Sequence, residues 1–203
     1  QPWNRGEVAQ LVADCAHRGL AVTAAGGRHS MGAQAFGTNA LLIDTRGLSR
    51  VRNFDPDART IEVDAGIQWP QLIEVVSQLS RAAGEPLAIA QKQTGADRMT
   101  LAGSLSANAH GRGLTLPPIA GQIRDVTIVD ARGELVRCSR KENAELFALV
   151  LGGYGLFGIV VTVTLQLVRN TPLIRRVREL HVEELEHAFA QRIAGGALYG
   201  DFQ

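Results

Sequence analysis

Three glycine-rich segments, Gly26 to Gly32, Gly103 to Gly113 and Gly152 to Gly158, each border a run of strand-forming residues. Backbone without side chains is what a phosphate or a flat ring requires for close approach, so three such segments in one chain suggest a long ligand. Taken singly, each is read equally well as a turn that uses glycine for steric reasons. Around them the pattern is mixed. Val8, Leu11, Val12 and Cys15 recur at helical spacing, Arg18-Gly19 is a stop, and Leu20 to Ala25 reads as a short buried strand entering the first glycine segment.

Short strands are expected at Leu41 to Asp44, Val51 to Phe54 and Thr60 to Asp64, closing a small sheet. Trp69 to Leu79 reads as an amphipathic helix, with Pro70 where a first turn tolerates it. Thr94 to Leu116 is too poor in charge and too rich in glycine and serine for an ordinary amphipathic element, and is a second candidate site segment. Ile123 to Val129 and Glu134 to Cys138 predict a hairpin turning at Arg132-Gly133, and Asn143 to Val150 a helix. The β-branched run Ile159 to Val168 predicts one long strand. Beyond Asn170-Thr171-Pro172 the pattern changes, which sets an expected domain boundary near Pro172. Arg175, Arg176 and Arg178 read there as a charged strand face, and Glu183 to Ile193 as a helix.

With 203 residues, 45% of them apolar, the chain has enough material for a full core. Its 21 Lys and Arg balance 20 Asp and Glu, which leaves no field to gather a polyanion and argues against nucleic acid. Cys15 and Cys138 form neither a CxxC nor a cysteine–histidine cluster, so neither disulfide framework nor zinc is indicated, and a reducing cytoplasm is expected. No apolar run approaches the roughly 18 to 20 residues that cross a bilayer. The chain begins at Gln1 and stops just after a helix-like segment; it is read as cut at both ends, with a removed signal peptide left open.

The first segment begins like a Walker loop, but Ala33-Gln34 stand where Lys and Ser or Thr are required; it also fails the GxGxxG pattern of a nicotinamide site. No GxSxG elbow supports serine hydrolysis. His29, flanked by Arg28 and Ser30, is not placed for core packing. Two readings stand for it, a hydrogen bonder that stabilises its loop and an imidazole that attacks or binds a cofactor. His110, between Ala109 and Gly111, is read as an internal hydrogen bonder or a cofactor contact.

In order along the chain come Ala25 to Gln34, with His29-Ser30 at its centre, then Ala107-Asn108-Ala109-His110-Gly111-Arg112-Gly113-Leu114 with Leu116-Pro117-Pro118-Ile119, then Gly152-Gly153-Tyr154-Gly155-Leu156-Phe157-Gly158-Ile159-Val160. Over residues 7 to 169 this combination resembles the FAD domain of the vanillyl-alcohol oxidase and p-cresol methylhydroxylase superfamily, and is similar to aldonolactone and alditol oxidoreductases. The resemblance implies an α+β, two-subdomain FAD-binding fold over residues 1–171, followed by the beginning of a substrate or cap domain over 172–203. It implies FAD contacts from Ala25, Gly26, Gly27, Arg28, His29, Ser30, Met31 and Gln34, the first of these wrapping the diphosphate. Thr100, Gly103, Ser104, Ser106, Ala107, Asn108, Ala109, His110 and Gly111 would follow along the flavin, with Gly158 and Ile159 beside it.

His29 matches the position that bonds covalently to the flavin in many relatives, whereas Arg28 stands where glycine is commoner. The bulk at Ala109 bears on oxygen access, which leaves oxidase and dehydrogenase both open. The implied reaction is oxidation of an alcohol or lactone CH–OH group by hydride transfer to flavin N5, with oxygen or another acceptor taking the electrons onward. The base is expected in the cap domain, so residues 1–203 alone are expected to turn over little substrate. The alternatives are an electron-transfer module of a larger oxidoreductase and a binding protein that kept the scaffold.

Overall fold

Asn4 opens the first helix by accepting a hydrogen bond from the Glu7 amide at 3.0 Å, which satisfies a donor the helix itself leaves free. That helix, α1 (Arg5–His17), buries Val8, Val12 and Cys15. The computed structural model describes residues 1–203. After α1 come β1 (Ala21–Ala25), β2 (Ala40–Asp44), β3 (Val51–Asp55), β4 (Thr60–Asp64), α2 (Trp69–Ala82), β5 (Leu87–Ala88), α3 (Leu101–Ser106), β6 (Ile123–Val129), β7 (Leu135–Ser139), α4 (Ala144–Val150), β8 (Ile159–Gln166), β9 (Val168–Arg169) and α5 (Leu185–Ala194). Helices and antiparallel sheets together make this an α+β fold.

β1 and β2 pair in parallel, from Ala21 beside Ala40 to Ala25 beside Asp44. Parallel neighbours require the chain to cross back between them, and here the first glycine segment is that crossover. Only Ala25 of β1 is buried, so the strand is half covered where the sequence predicts a buried one. The main sheet is antiparallel in the order β3-β4-β8-β6-β7. The small sheet expected from 41–44, 51–54 and 60–64 is therefore divided: β2 joins β1, while β3 and β4 join the main sheet. β8 is buried along both edges and needs two partners. β4 fills one side in the register Thr60↔Gln166 to Asp64↔Thr162, a pairing about a hundred residues apart that local patterning does not reveal.

The β6–β7 hairpin turns as predicted, with Gly133 at φ +85° and the Asp130 carboxylate accepting from the Arg132 and Glu134 amides, both at 2.9 Å. A bulge between β6 and β8 explains the unbroken β-branched run. Val160, Val163 and Leu165 enter the main core, and Val161 turns to the other face against Val8 and Val12. The run ends as a ladder at Gln166, and Val168-Arg169 pair instead with Leu87-Ala88. Residues 170–181 form neither helix nor strand. The predicted strand face of Arg175, Arg176 and Arg178 has no partner strand, and only Arg178 makes an ion pair, 3.8 Å from Glu184.

α2, α3 and α4 cover one face of the sheet, with Trp69, Leu72, Leu101, Leu105 and Phe147 in a core with Ile61, Val63 and Ile128. Trp69 is almost completely buried, and its indole N–H donates to the Ser104 hydroxyl at 2.9 Å, which in turn donates to Gln93 Oε1 at 3.2 Å. A buried donor without a partner costs ~1–3 kcal/mol. Ser104→Ala is therefore expected to lower unfolding stability by about that amount in a urea titration, and an unchanged midpoint would show that this chain of bonds does not hold the two helices together.

Candidate cofactor site

The first glycine segment leaves β1 at Ala25, whose carbonyl accepts from the Thr45 hydroxyl at 3.1 Å. A Cβ on Gly26 would overlap the Thr100 hydroxyl, and one on Gly27 would overlap the Arg98 carbonyl. Glycine is what lets this loop lie directly on residues 98–100. Arg28 has φ +59°, the left-handed region that favours glycine, which accounts physically for glycine being the commoner residue at this position. Its guanidinium approaches Asp44 at 3.6 Å. His29, Ser30, Met31 and Gln34 are exposed, and the His29 ring makes no hydrogen bond to the protein. In this structure His29 does not serve as a loop-stabilising hydrogen bonder. His110 does hydrogen-bond internally, its Nδ1 lying 3.0 Å from the Gly111 carbonyl.

The second segment contains a short helix that the sequence did not reveal. Thr100 caps it, accepting from the Gly103 amide at 3.1 Å. Thr100 and Ser104 are fully buried, the Thr100 hydroxyl accepting from Gly103 N and the Ser104 hydroxyl lying between Trp69 and Gln93. Ser106, Ala107, Asn108 and Ala109 follow at the helix end, with Asn108 at φ +43° and its Oδ1 accepting from Ala120 N at 3.3 Å. Behind the loop, Gln91 and Gln122 exchange hydrogen bonds at 3.4 and 3.2 Å, and Gln91 Oε1 accepts from Gly113 N at 3.2 Å. Residues 198–201 lie against the same loop. Leu114 N donates to the Leu198 carbonyl at 3.0 Å, Arg112 pairs with Asp201 at 3.0 Å, and the Tyr199 hydroxyl donates to the Ala90 carbonyl.

The third segment joins the second, since Gly152 N donates to the Leu105 carbonyl at 3.0 Å and Tyr154 N to the Ser106 carbonyl at 3.1 Å. Gly158 and Ile159 then lead into β8 beside Val129. All three glycine segments are thus linked through residues 98–108.

A cleft of about 330 Å³ opens beside the first segment, lined by Gly27, His29, Arg46, Ser49, Gly66, Gln68, Gln71 and Arg98, none of them hydrophobic. It includes two of the individually predicted residues, Gly27 and His29, and Arg98 from the candidate segment Thr94 to Leu116, but nothing from the third segment. Arg46, Ser49, Gln68 and Gln71 were missed because polar residues beside turns look alike in sequence, and Arg98, inside the candidate segment Thr94 to Leu116, was not singled out. The only local signal was the Gln68-Trp69-Pro70 helix start. Buried Asp64 fixes the strip carrying Ser49, pairing with Arg52 at 2.5 Å and accepting from Arg50 N at 3.2 Å.

The donor set suits the anionic middle of a dinucleotide: two guanidiniums, two side-chain amides and a hydroxyl, next to Gly27, which adds no side chain to the cleft wall. A model of the FAD binding domain family matches residues 1–139. The chain belongs to that family. The FAD-binding chain is 25% identical over 186 residues to the mitochondrial L-galactono-1,4-lactone dehydrogenase of Arabidopsis thaliana, covering 92% of this chain and 29% of that protein. It is 29% identical over 174 residues to the L-gulonolactone oxidase of Mus musculus, covering 86% and 38%. It is 30% identical over 172 residues to cytokinin dehydrogenase 8 of Oryza sativa subsp. indica, covering 79% and 31%. The chain thus spans about a third of the length of these relatives. No helix is long and apolar enough to cross a membrane.

Asp44 organises the cations at the rim. The hydrogen bond from the Arg46 side chain, above all, holds its carboxyl below the ordinary 3.8, with burial opposing and the charges of Arg46 and Arg28 assisting. A depressed carboxyl contributes stability that is fully present above the unfolded-state value and is lost as pH falls through the folded one. The stability difference between the unaltered protein and Asp44→Asn is therefore expected to be constant above about pH 5 and to shrink as pH falls below 3.8. A difference independent of pH, measured by denaturation from pH 7 to 2, would contradict this role.

Proposed function

We propose that the protein carrying this chain is an FAD-dependent oxidase or dehydrogenase that oxidises a CH–OH group in a sugar-derived alcohol or lactone. The observation that carries the reading is the linkage of the three glycine segments through residues 98–108, with the unbonded His29 ring exposed beside a wholly polar cleft. When bound, FAD supplies the hydride acceptor at N5. Residues Ala25 to Gln34 are assigned to the diphosphate, and Ser106 to Gly111 with Gly158 and Ile159 to the flavin end. Thr100, Gly103 and Ser104 hold that second group in place. His29 is assigned to covalent attachment of the flavin.

Residues 1–171 are assigned to the FAD-binding domain and 172–203 to the beginning of a region that faces substrate. Two relatives are named as a lactone dehydrogenase and a lactone oxidase, which supports a lactone or related polyol donor and either oxygen or another acceptor. Cys15 and Cys138 are free and buried, which supports a reducing compartment such as the cytoplasm.

The test uses the full-length protein, mixed anaerobically with a panel of aldonolactones and alditols while the visible flavin band is followed. Bleaching by at least one member is expected; a flavin that no donor reduces but a partner protein does would transfer the reading to an electron-transfer module. In the same preparation, acid precipitation is expected to leave the yellow colour in the pellet, and His29→Ala to release it. Colour released from the unaltered protein would overturn the covalent assignment alone.

A further inference from the structure

We propose that Arg98 is the charge that clamps a diphosphate in the cleft beside the first glycine segment. The proposal rests on reading that segment as part of an FAD site and adds to it a residue from outside the loop itself.

The cleft contains two guanidiniums and no carboxylate. Arg46 is already committed, since its Nε lies 2.9 Å and its Nη2 2.5 Å from the Asp44 carboxylate. Arg28 leans towards the same carboxylate. Arg98 makes no ion pair and no side-chain hydrogen bond, and its acidic neighbour Asp97 is taken by Lys92 at 2.5 Å. The cleft therefore holds one uncompensated positive charge, and it is on Arg98.

The base of that side chain is fixed. The Arg98 carbonyl accepts from Gln68 Nε2 at 2.7 Å and abuts Gly27, which places the residue at the junction of loop and cleft. A guanidinium presents paired donors that match two phosphoryl oxygens, and Ser49, Gln68 and Gln71 add neutral donors without adding an opposing charge. Two sources offer this chemistry, the diphosphate of FAD and a phosphate on a separate small molecule.

Full-length protein from a riboflavin-depleted host, free of flavin, is titrated with inorganic diphosphate by calorimetry, alongside Arg98→Gln and Arg98→Lys. Arg98→Gln is expected to weaken binding by about tenfold or more, Arg98→Lys by less, and the salt dependence is expected to flatten in Arg98→Gln. Riboflavin, which carries no phosphate, is expected to bind the unaltered and Arg98→Gln proteins equally. Arg98 is exposed, so matching unfolding midpoints serve as the folding control.

Repeating the titration on FAD-loaded protein separates the sources. Loss of diphosphate binding assigns Arg98 to the dinucleotide, and retained, Arg98-dependent binding assigns it to a second phosphorylated ligand; either supports the clamp. Equal diphosphate binding by the unaltered and Arg98→Gln proteins, or binding by neither, overturns it. Failure of the folded, unaltered protein to take up FAD would instead sink the FAD reading, with the diphosphate arm still deciding the role of Arg98.

Discussion

The bond from the buried Trp69 indole to the Ser104 hydroxyl fixes the start of α2 against α3, and the glycine segments depend on that alignment. With α2 held there, Gln68 reaches the Arg98 carbonyl and bridges to Thr100. Residues 98–100 then form the floor on which Gly26 and Gly27 lie, and the end of α3 offers its carbonyls to the third segment. A polar pair inside an apolar core thus does what apolar packing alone does not. It favours this placement of α3, in which the buried indole donor is satisfied.

The division of the three segments between two sheets follows from strand pairing. β1 and β2 run parallel and force a crossover, which the glycine loop provides. β8 is wrapped on both faces, by α1 on one side and the main core on the other, and its bulge sets which valine faces which. That strand begins at Ile159, so the third segment is anchored at the centre of the sheet while the first hangs from its own two-stranded pair. One ligand in contact with both has to lie between the two units.

The elements most legible in sequence were those whose signals are local. α1, α2, the hairpin at Asp130 to Glu134 and the helix ending at Val150 each carry a cap, a proline or a turn residue near at hand. What stayed hidden depended on distant partners. Neither the allotment of β3 and β4 to the main sheet nor the unpaired run at 170–181 is written in neighbouring residues. The site divides in the same way. The glycine segments and His29 were singled out from local sequence alone; the His29 ring is exposed, and the His110 ring hydrogen-bonds to the carbonyl of its neighbour Gly111. Arg46, Gln68 and Gln71 were invisible because they reach the cleft from outside the glycine segments, and only folding brings them beside Arg98.

The central claim is that three separate segments make one FAD cradle. Amide hydrogen exchange of the full-length protein, compared with and without FAD, tests it most directly. Concerted slowing across residues 25–34, 100–113 and 152–159 is the expected result. Slowing confined to one of the three, with the others unchanged at saturating FAD, would contradict it.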